Sequence, residues 1–395
     1  MTEAAILDVP QDHRVDHFRE FCDDIFGTLY RSDQRRVGET YLRGLLDCPG
    51  RKSIRRMAST TLGQHSEQSL QQFVNQSPWD HEPIRQRVMN RLIQSLRPTA
   101  WVFEEVAFPK HGRYSAAVDR QYVRSMEKVC NCQLAVVVTL TSDQYSVPVN
   151  WRLTVPESWG QDAERRARAR VPEHERPRPY WNYQIEMLDD MALDWGMPAA
   201  PIIVDVRQQA NVEGLLSALE SRGLPYLAQV SGSLHVRYER HTGAAPVGSR
   251  VPPWQGTVGD LVRRMDNTAR MTISWVGTDD GLTRRSQFFQ VPVRLPSNCP
   301  PGTQPAERQL IAEWPLTKPQ PRGYWITNTD RPLADLVPLS RLRQRVAARI
   351  EEFAERFGLR DYEGRTFAGW HHHVTLATAA YTFCVLDEML TEPPA

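Results

Sequence analysis

Pro201-Ile-Ile-Val-Asp205 is a short apolar run closed by an acid, and it reads as a buried strand ending at Asp205. Residues 211 to 223 read as a helix, and Pro225 to Val230 as the next strand. On the N-terminal side, residues 181–196 read as a helix. Further back, Trp101-Val-Phe103 begins a strand, Gln133 to Leu140 is a β-rich apolar run, and Tyr145 to Val155 alternates as a strand does. Strands alternating with helices on both sides of Asp205 give an α/β core.

The texture changes at both ends of this core. Residues 1–97 read as helical, with Phe18, Phe21, Ile25 and Leu29 at helical spacing, and Leu42, Leu45 and Leu46 likewise. Pro78-Trp-Asp80 reads as a turn and helix cap. Residues 160–180 are charged and proline-rich, which reads as a solvated connector carrying Arg165, Arg166, Arg168 and Arg170. Between 231 and 330 the helix signal fades into short strand candidates, Met271–Val276, Phe288–Leu295 and Tyr324–Thr327, separated by Gly/Pro turns. Residues 333–358 return to a long arginine-rich helix, followed by an apolar helix from Val374 to Leu390. The chain therefore divides into 1–97, 98–230, 231–330 and 331–395. No internal repeat is visible.

The 395 residues are 41% apolar and 24% charged, as in globular proteins, which excludes wholesale disorder. Basic and acidic residues nearly cancel, 48 against 47, so there is no global basic coat for nucleic acid. Lysine occurs only at Lys52, Lys110, Lys128 and Lys318. The other basic residues are arginine, a skew that reads first as coding bias and second as a supply of bidentate phosphate binders. Six scattered cysteines, with Cys130 and Cys132 in neither redox nor zinc spacing, fit a reducing compartment and a cytoplasmic protein. The acidic start, Glu3, Asp8 and Asp12, is unlike a signal peptide, and no apolar run is long enough to span a bilayer, so no membrane partner is expected.

Chemistry is expected at strand ends. Ligands of α/β sheets bind beyond the carboxyl ends of the strands. Glu104 and Glu105 end the first core strand and Asp205 ends a later one. Carboxylates so placed can hold two Mg²⁺ ions that clamp the attacking and leaving oxygens in phosphoryl transfer.

The whole pattern resembles the DDE transposases of bacterial insertion sequences. The resemblance is carried by Tyr41-Leu-Arg-Gly-Leu-Leu46, Ser77-Pro-Trp-Asp80, Phe108-Pro-Lys-His-Gly112, Arg120-Gln-Tyr122, Asn131-Cys-Gln133 and Pro156-Glu-Ser-Trp159. It continues through Arg222-Gly-Leu-Pro-Tyr226, Glu313-Trp-Pro315 and Tyr324-Trp-Ile-Thr-Asn328. It is strongest in Gly358-Leu-Arg-Asp-Tyr-Glu-Gly-Arg365 and Gly369-Trp-His-His-His-Val-Thr-Leu376. It implies an RNase H-like α/β core, with a helical N-terminal domain and a β-rich insertion before the last catalytic acid. It also implies cleavage of transposon ends by three carboxylates with Mg²⁺, DNA as partner, and work as a homodimer, although no coiled-coil heptad is present.

Carried over residue by residue, the resemblance puts Glu104 where the family has its first Asp, and Asp205 at the second acid. The Tyr-Gly that follows the second acid is replaced by Val206-Arg-Gln-Gln209. Counting back from Gly358 places the third acid at Ala347, with Ile350 and Ala354 at the Tyr and Lys positions and Gln344 at the Trp position. Glu351 lies one helical turn beyond Ala347 and is the displaced candidate, about 6 Å further along the axis. Glu363 matches the Tyr-Glu-Gly-Arg segment instead of a ligand.

Three readings follow. The first is a transposase-like pseudoenzyme without cleavage and strand transfer, retaining DNA binding or a regulatory role, and nucleoid-associated where DNA is bound. The second is an active transposase using Glu104, Asp205 and Glu351 with Mg²⁺. The third is a repurposed scaffold with a small-molecule pocket near Asp205. DNA contact is expected from Arg51, Lys52, Arg55 and Arg56 and from the late helix through Arg341, Arg345 and Arg349, with Arg343 in the same series. His371, His372 and His373 point in different directions on a helix and cannot converge easily on a metal, so packing and phosphate contact are expected instead. Trp79, Trp151, Trp159, Trp325 and Trp370 are expected as core anchors, with Trp101 and Trp254 open to a place at a nucleic-acid face.

Overall fold

The computed structural model describes residues 11–61, 66–239, 253–265, 270–277, 281–296, 306–316 and 320–391. Glu3 and Asp8, on which the reading of the N-terminus rests, lie outside them. The chain forms two compact units: Met1–Pro98 with Glu105–Pro198 and Ala348–Ala395, and Thr99–Glu104 with Ala199–Ala347.

The first unit opens with α1 (Gln11–Phe26), α2 (Ser32–Asp47), α3 (Ile54–Thr60), α4 (Glu67–Asn75) and α5 (Glu82–Ser95). Tyr41, Leu42 and Leu45 form the buried face of α2. Gly44 belongs to that face because a Cβ there would meet Met57 at 2.8 Å. Ser53 and Ser66 cap α3 and α4, each accepting from the backbone N–H three residues on. The Trp79 indole donates to the Phe73 carbonyl and pins the turn before α5. Strand β1 (Ala100–Pro109) belongs to this unit from Glu105 onward. Strands β2 (Asp119–Val123), β3 (Lys128–Thr141) and β4 (Ser146–Leu153) form an antiparallel meander. The expected solvated connector contains a short helix, α6 (Ala163–Ala169), before α7 (Tyr180–Leu193). Its arginines are partly structural: Arg166 is buried and donates to the Pro172 and Glu175 carbonyls, and Arg165 lies 4.2 Å over Trp159.

The second unit takes β1 through Glu104 and continues with β5 (Ile202–Asp205), α8 (Val212–Ser221) and β6 (Tyr226–Val230). β1, β5 and β6 are parallel neighbours. A two-stranded ribbon of β7 (His235–Tyr238) and β8 (Trp254–Thr257) leads to α9 (Val258–Arg264). Antiparallel β9 (Met271–Val276), β10 (Thr283–Val293), β11 (Arg308–Pro315) and β12 (Gly323–Thr327) extend the sheet in the order β1-β5-β6-β12-β11-β10-β9. Helix α10 (Leu333–Arg356) belongs to this unit as far as Ala347. Trp101 is fully buried, which removes it from any nucleic-acid face.

Helix α11 (Phe367–Thr391) returns to the first unit, where it packs on α1, α2, α4, α5 and β4. It is buried on nearly every side, so its polar residues must find internal partners. The three histidines each do so separately. His371 Nδ1 accepts from the Arg85 guanidinium at 3.0 Å. His373 Nδ1 accepts from the Tyr41 hydroxyl, and its Nε2–H donates to the Gly358 carbonyl. The His372 ring stacks on Trp79 at 3.7 Å, with its nitrogens beside the Val74 and Trp79 carbonyls. Burial pushes His372 and His373 down to about 4, so both are neutral at ordinary pH. No described helix is long and apolar enough to cross a membrane.

Candidate functional site

Strand register builds the site inside the second unit. Trp101 pairs with Ile202 and Val102 with Ile203, a register that brings Glu104 level with Asp205. Asp205 pairs in turn with Gln229. Facing residues on parallel strands share one side of the sheet, so the three side chains form a row about 4.8 Å apart per step.

Arg343 of α10 reaches this row. Its Nε donates to Glu104 Oε1 at 2.6 Å and its Nη2 to Glu104 Oε2 at 2.9 Å. Its Nη1 lies 2.7 Å from Gln229 Oε1 and 3.0 Å from Asp205 Oδ2. Asp205 also takes the fork of Arg207, with Nε 3.0 Å from Oδ1 and Nη2 2.7 Å from Oδ2, and it accepts the Arg207 backbone N–H. Burial opposes ionisation of Asp205. The Arg207 hydrogen bonds and the Arg343 charge outweigh it and hold the carboxyl below its usual range.

That direction fixes a pH dependence. The folded pKa lies below the unfolded one, so the stabilisation is complete above the unfolded value of about 3.9 and is lost as pH falls through the folded value. Wild type is therefore expected to exceed Asp205→Asn in thermal midpoint at neutral pH, with the gap narrowing below about pH 4. A gap that stays constant through the acid limb would show that the Asp205 charge contributes nothing.

The other expected residues fall in different places. Glu351 lies in the first unit, where Arg360 grips both its oxygens at 2.6 Å. The late-helix arginines do not form one exposed ridge, because residues two apart lie about 200° apart around a helix. Arg341 and Arg345 are buried, and Arg341 lies 2.6 Å from the fully buried Glu313. Arg349 is half-exposed and pairs with Glu352. In the first unit Arg51 is exposed and bonds Glu363, Arg55 is exposed, and Arg56 is exposed and donates to the Pro49 carbonyl. Lys52 is buried, with its ammonium on the Cys48 carbonyl and its backbone N–H on Asp361. Among the described residues, no group of three His, Cys, Asp or Glu side chains is placed to hold a metal ion. A cavity of about 410 Å³ opens beside Arg207, lined also by Asn211, Ser231, Ser233 and His235.

Glu104 and Glu105 do not end the first core strand as expected: β1 runs on to Pro109, so Glu104 is a mid-strand acid level with Asp205, which does end β5. A family match joins this arrangement. The family model for the DDE superfamily endonuclease matches residues 24–283. This chain belongs to the DDE superfamily endonucleases. The match takes in α2 to β9 with both acids, Glu104 and Asp205, whereas α10 lies beyond it. The mixed α/β architecture agrees with the RNase H-like fold of DDE endonucleases. No curated protein matches the chain.

Members of the family use a divalent metal, and the donor set of this endonuclease relative does not fit one. Two Mg²⁺ ions need a cluster of oxygens with a net negative charge. Here Glu104 and Asp205 are balanced by Arg343 and Arg207, and the position expected for a third acid is Ala347. Sequence reasoning had placed Arg343 in a DNA-facing series and had passed over Gln229. The spacing held a usable signal: Arg343 lies four residues before Ala347, on the helix face expected to carry the third acid.

Proposed function

We propose that this protein is a transposase-derived DNA-binding protein that does not cut or transfer strands. One observation carries the reading: the neighbouring carboxylates of β1 and β5, Glu104 and Asp205, are both engaged by arginines, and the helix face above them offers Arg343 and Ala347 in place of a third carboxylate. A methyl group cannot ligate a metal, and a guanidinium repels one. DNA contact falls to exposed arginines of the helical N-terminal part, Arg51, Arg55 and Arg56, which suit phosphate.

A salt-dependent DNA-binding titration of the purified protein, with and without EDTA, tests this. The expected result is binding that weakens steeply as salt rises and is indifferent to EDTA, with no nicked product in Mg²⁺. Arg55→Ala with Arg56→Ala is expected to lower affinity about equally for all DNA sequences, since phosphate contacts carry no base information. Mg²⁺-dependent cleavage of DNA that disappears in Asp205→Ala would falsify the reading. So would the absence of DNA binding at low salt.

A further inference from the structure

We propose that the Arg343 guanidinium is a resident cation between the neighbouring carboxylates of β1 and β5, Glu104 and Asp205, and that removing it leaves a site able to take a divalent ion. The inference rests on the reading of Glu104 and Asp205 as remnants of metal-binding acids, and it adds what keeps them together now. Two carboxylates side by side on adjacent strands repel each other, and both are largely withdrawn from water. Such a pair stays ionised only with a cation at hand. Arg343 supplies it through its whole donor fork: Nε and Nη2 take Glu104, and Nη1 takes Gln229 and Asp205. Arg207 cannot do this, since its fork is spent on Asp205.

The charge balance makes the consequence specific. With Arg343 present the four charged side chains, Glu104, Asp205, Arg207 and Arg343, sum to zero. Without it, two carboxylates and the Gln229 carbonyl oxygen face one space with a net negative charge. Those are hard oxygen donors of the kind that Mg²⁺, Mn²⁺ and Ca²⁺ prefer. Ala347, one turn beyond Arg343, adds no competing charge.

The test uses the full chain and Mn²⁺ alone, read by thermal midpoint and by water-proton relaxation. Wild type is expected to show no shift in midpoint with millimolar Mn²⁺. Arg343→Ala is expected to have a lower midpoint in EDTA and to regain several degrees on adding Mn²⁺, with enhanced relaxation. Adding Asp205→Asn to that variant should abolish both responses. A folded Arg343→Ala protein that responds to Mn²⁺ no more than wild type overturns the proposal. Arg343→Met keeps the stem's packing and serves if the alanine variant does not fold. Should neither fold, the wild-type titration decides: Mn²⁺ uptake that is lost in Glu104→Gln overturns the proposal, and no uptake upholds the guanidinium as the resident cation. None of these readouts involves DNA, so a failed DNA titration and a failed Mn²⁺ titration indict different claims.

Discussion

Replacing Glu313 with Gln is expected to cost the second unit about 3–5 kcal/mol, among the largest effects of any single substitution here. Glu313 lies in the middle of β11, pairs with Phe288 of β10 and Gly323 of β12, and has no solvent exposure. Arg341 sits 2.6 Å away with its guanidinium 4.3 Å from the Trp275 ring. Removing the carboxylate strands a cation where water cannot reach it. The pair itself is a different matter: desolvating both charges offsets most of their attraction. Glu313→Leu combined with Arg341→Met is therefore expected to fall within about 1 kcal/mol of wild type. Denaturant titration of the single and double variants measures both quantities. A double variant as damaged as the single one would show that the charges are needed for more than each other.

The first unit has a comparable point of failure at Arg85, and Arg85→Met is expected to destabilise it by about 4 kcal/mol. Arg85 is fully buried, and among the described residues no carboxylate lies at hydrogen-bond distance from it. Its Nε donates to Thr375 Oγ1 at 2.8 Å. Nη1 donates to Asn150 Oδ1 and the Trp151 carbonyl, and Nη2 to His371 Nδ1 and the His371 carbonyl. Five donors meet five neutral acceptors. Burial pushes the guanidinium down to about 9, which leaves it charged at neutral pH. Methionine fills most of the volume but removes five hydrogen bonds from a dry interior, where Asn150 Oδ1 keeps the Trp151 N–H and the His371 carbonyl keeps the Thr375 hydroxyl. Arg85→Lys, with three donors, is expected to recover only part of the loss. Unfolding of both variants in urea checks the order, and a methionine variant as stable as wild type would show that the acceptors are satisfied some other way.

These two buried arginines explain where the sequence was legible and where it was not. β5, α8 and β6 were readable because apolar runs and helical spacing there follow burial directly. β9 was located to the residue. β11 has no counterpart among the strands read from the sequence, because Arg308, Glu313 and Pro315 break up its apolar run. Glu313 is in fact the buried partner of Arg341, and Arg308 is buried between Glu213 and Glu220. Charge predicts exposure only when its partner is near in sequence, and these partners come from distant helices. The same limit hid the site. Asp205 is legible as the end of its strand, whereas Glu104 stands in the middle of β1, and their partner Arg343 is set by the placement of α10 and lies far along the chain from both. Three adjacent histidines were legible as packing residues because helical geometry alone forbids their convergence.

The division of the chain into units bears on how the protein is made. Residues 99–104 and 199–347 complete one unit, and all of them leave the ribosome before residue 348. The other unit begins with α1 to α5 but has α11 at its centre, far later in the chain. Until that helix emerges, Phe18, Phe21, Tyr41 and Arg85 lack the surface they pack against or bond to. The unit whose residues come first must therefore close second. Its nascent helices spend most of translation with an apolar face uncovered, a window in which chaperones and aggregation compete for them.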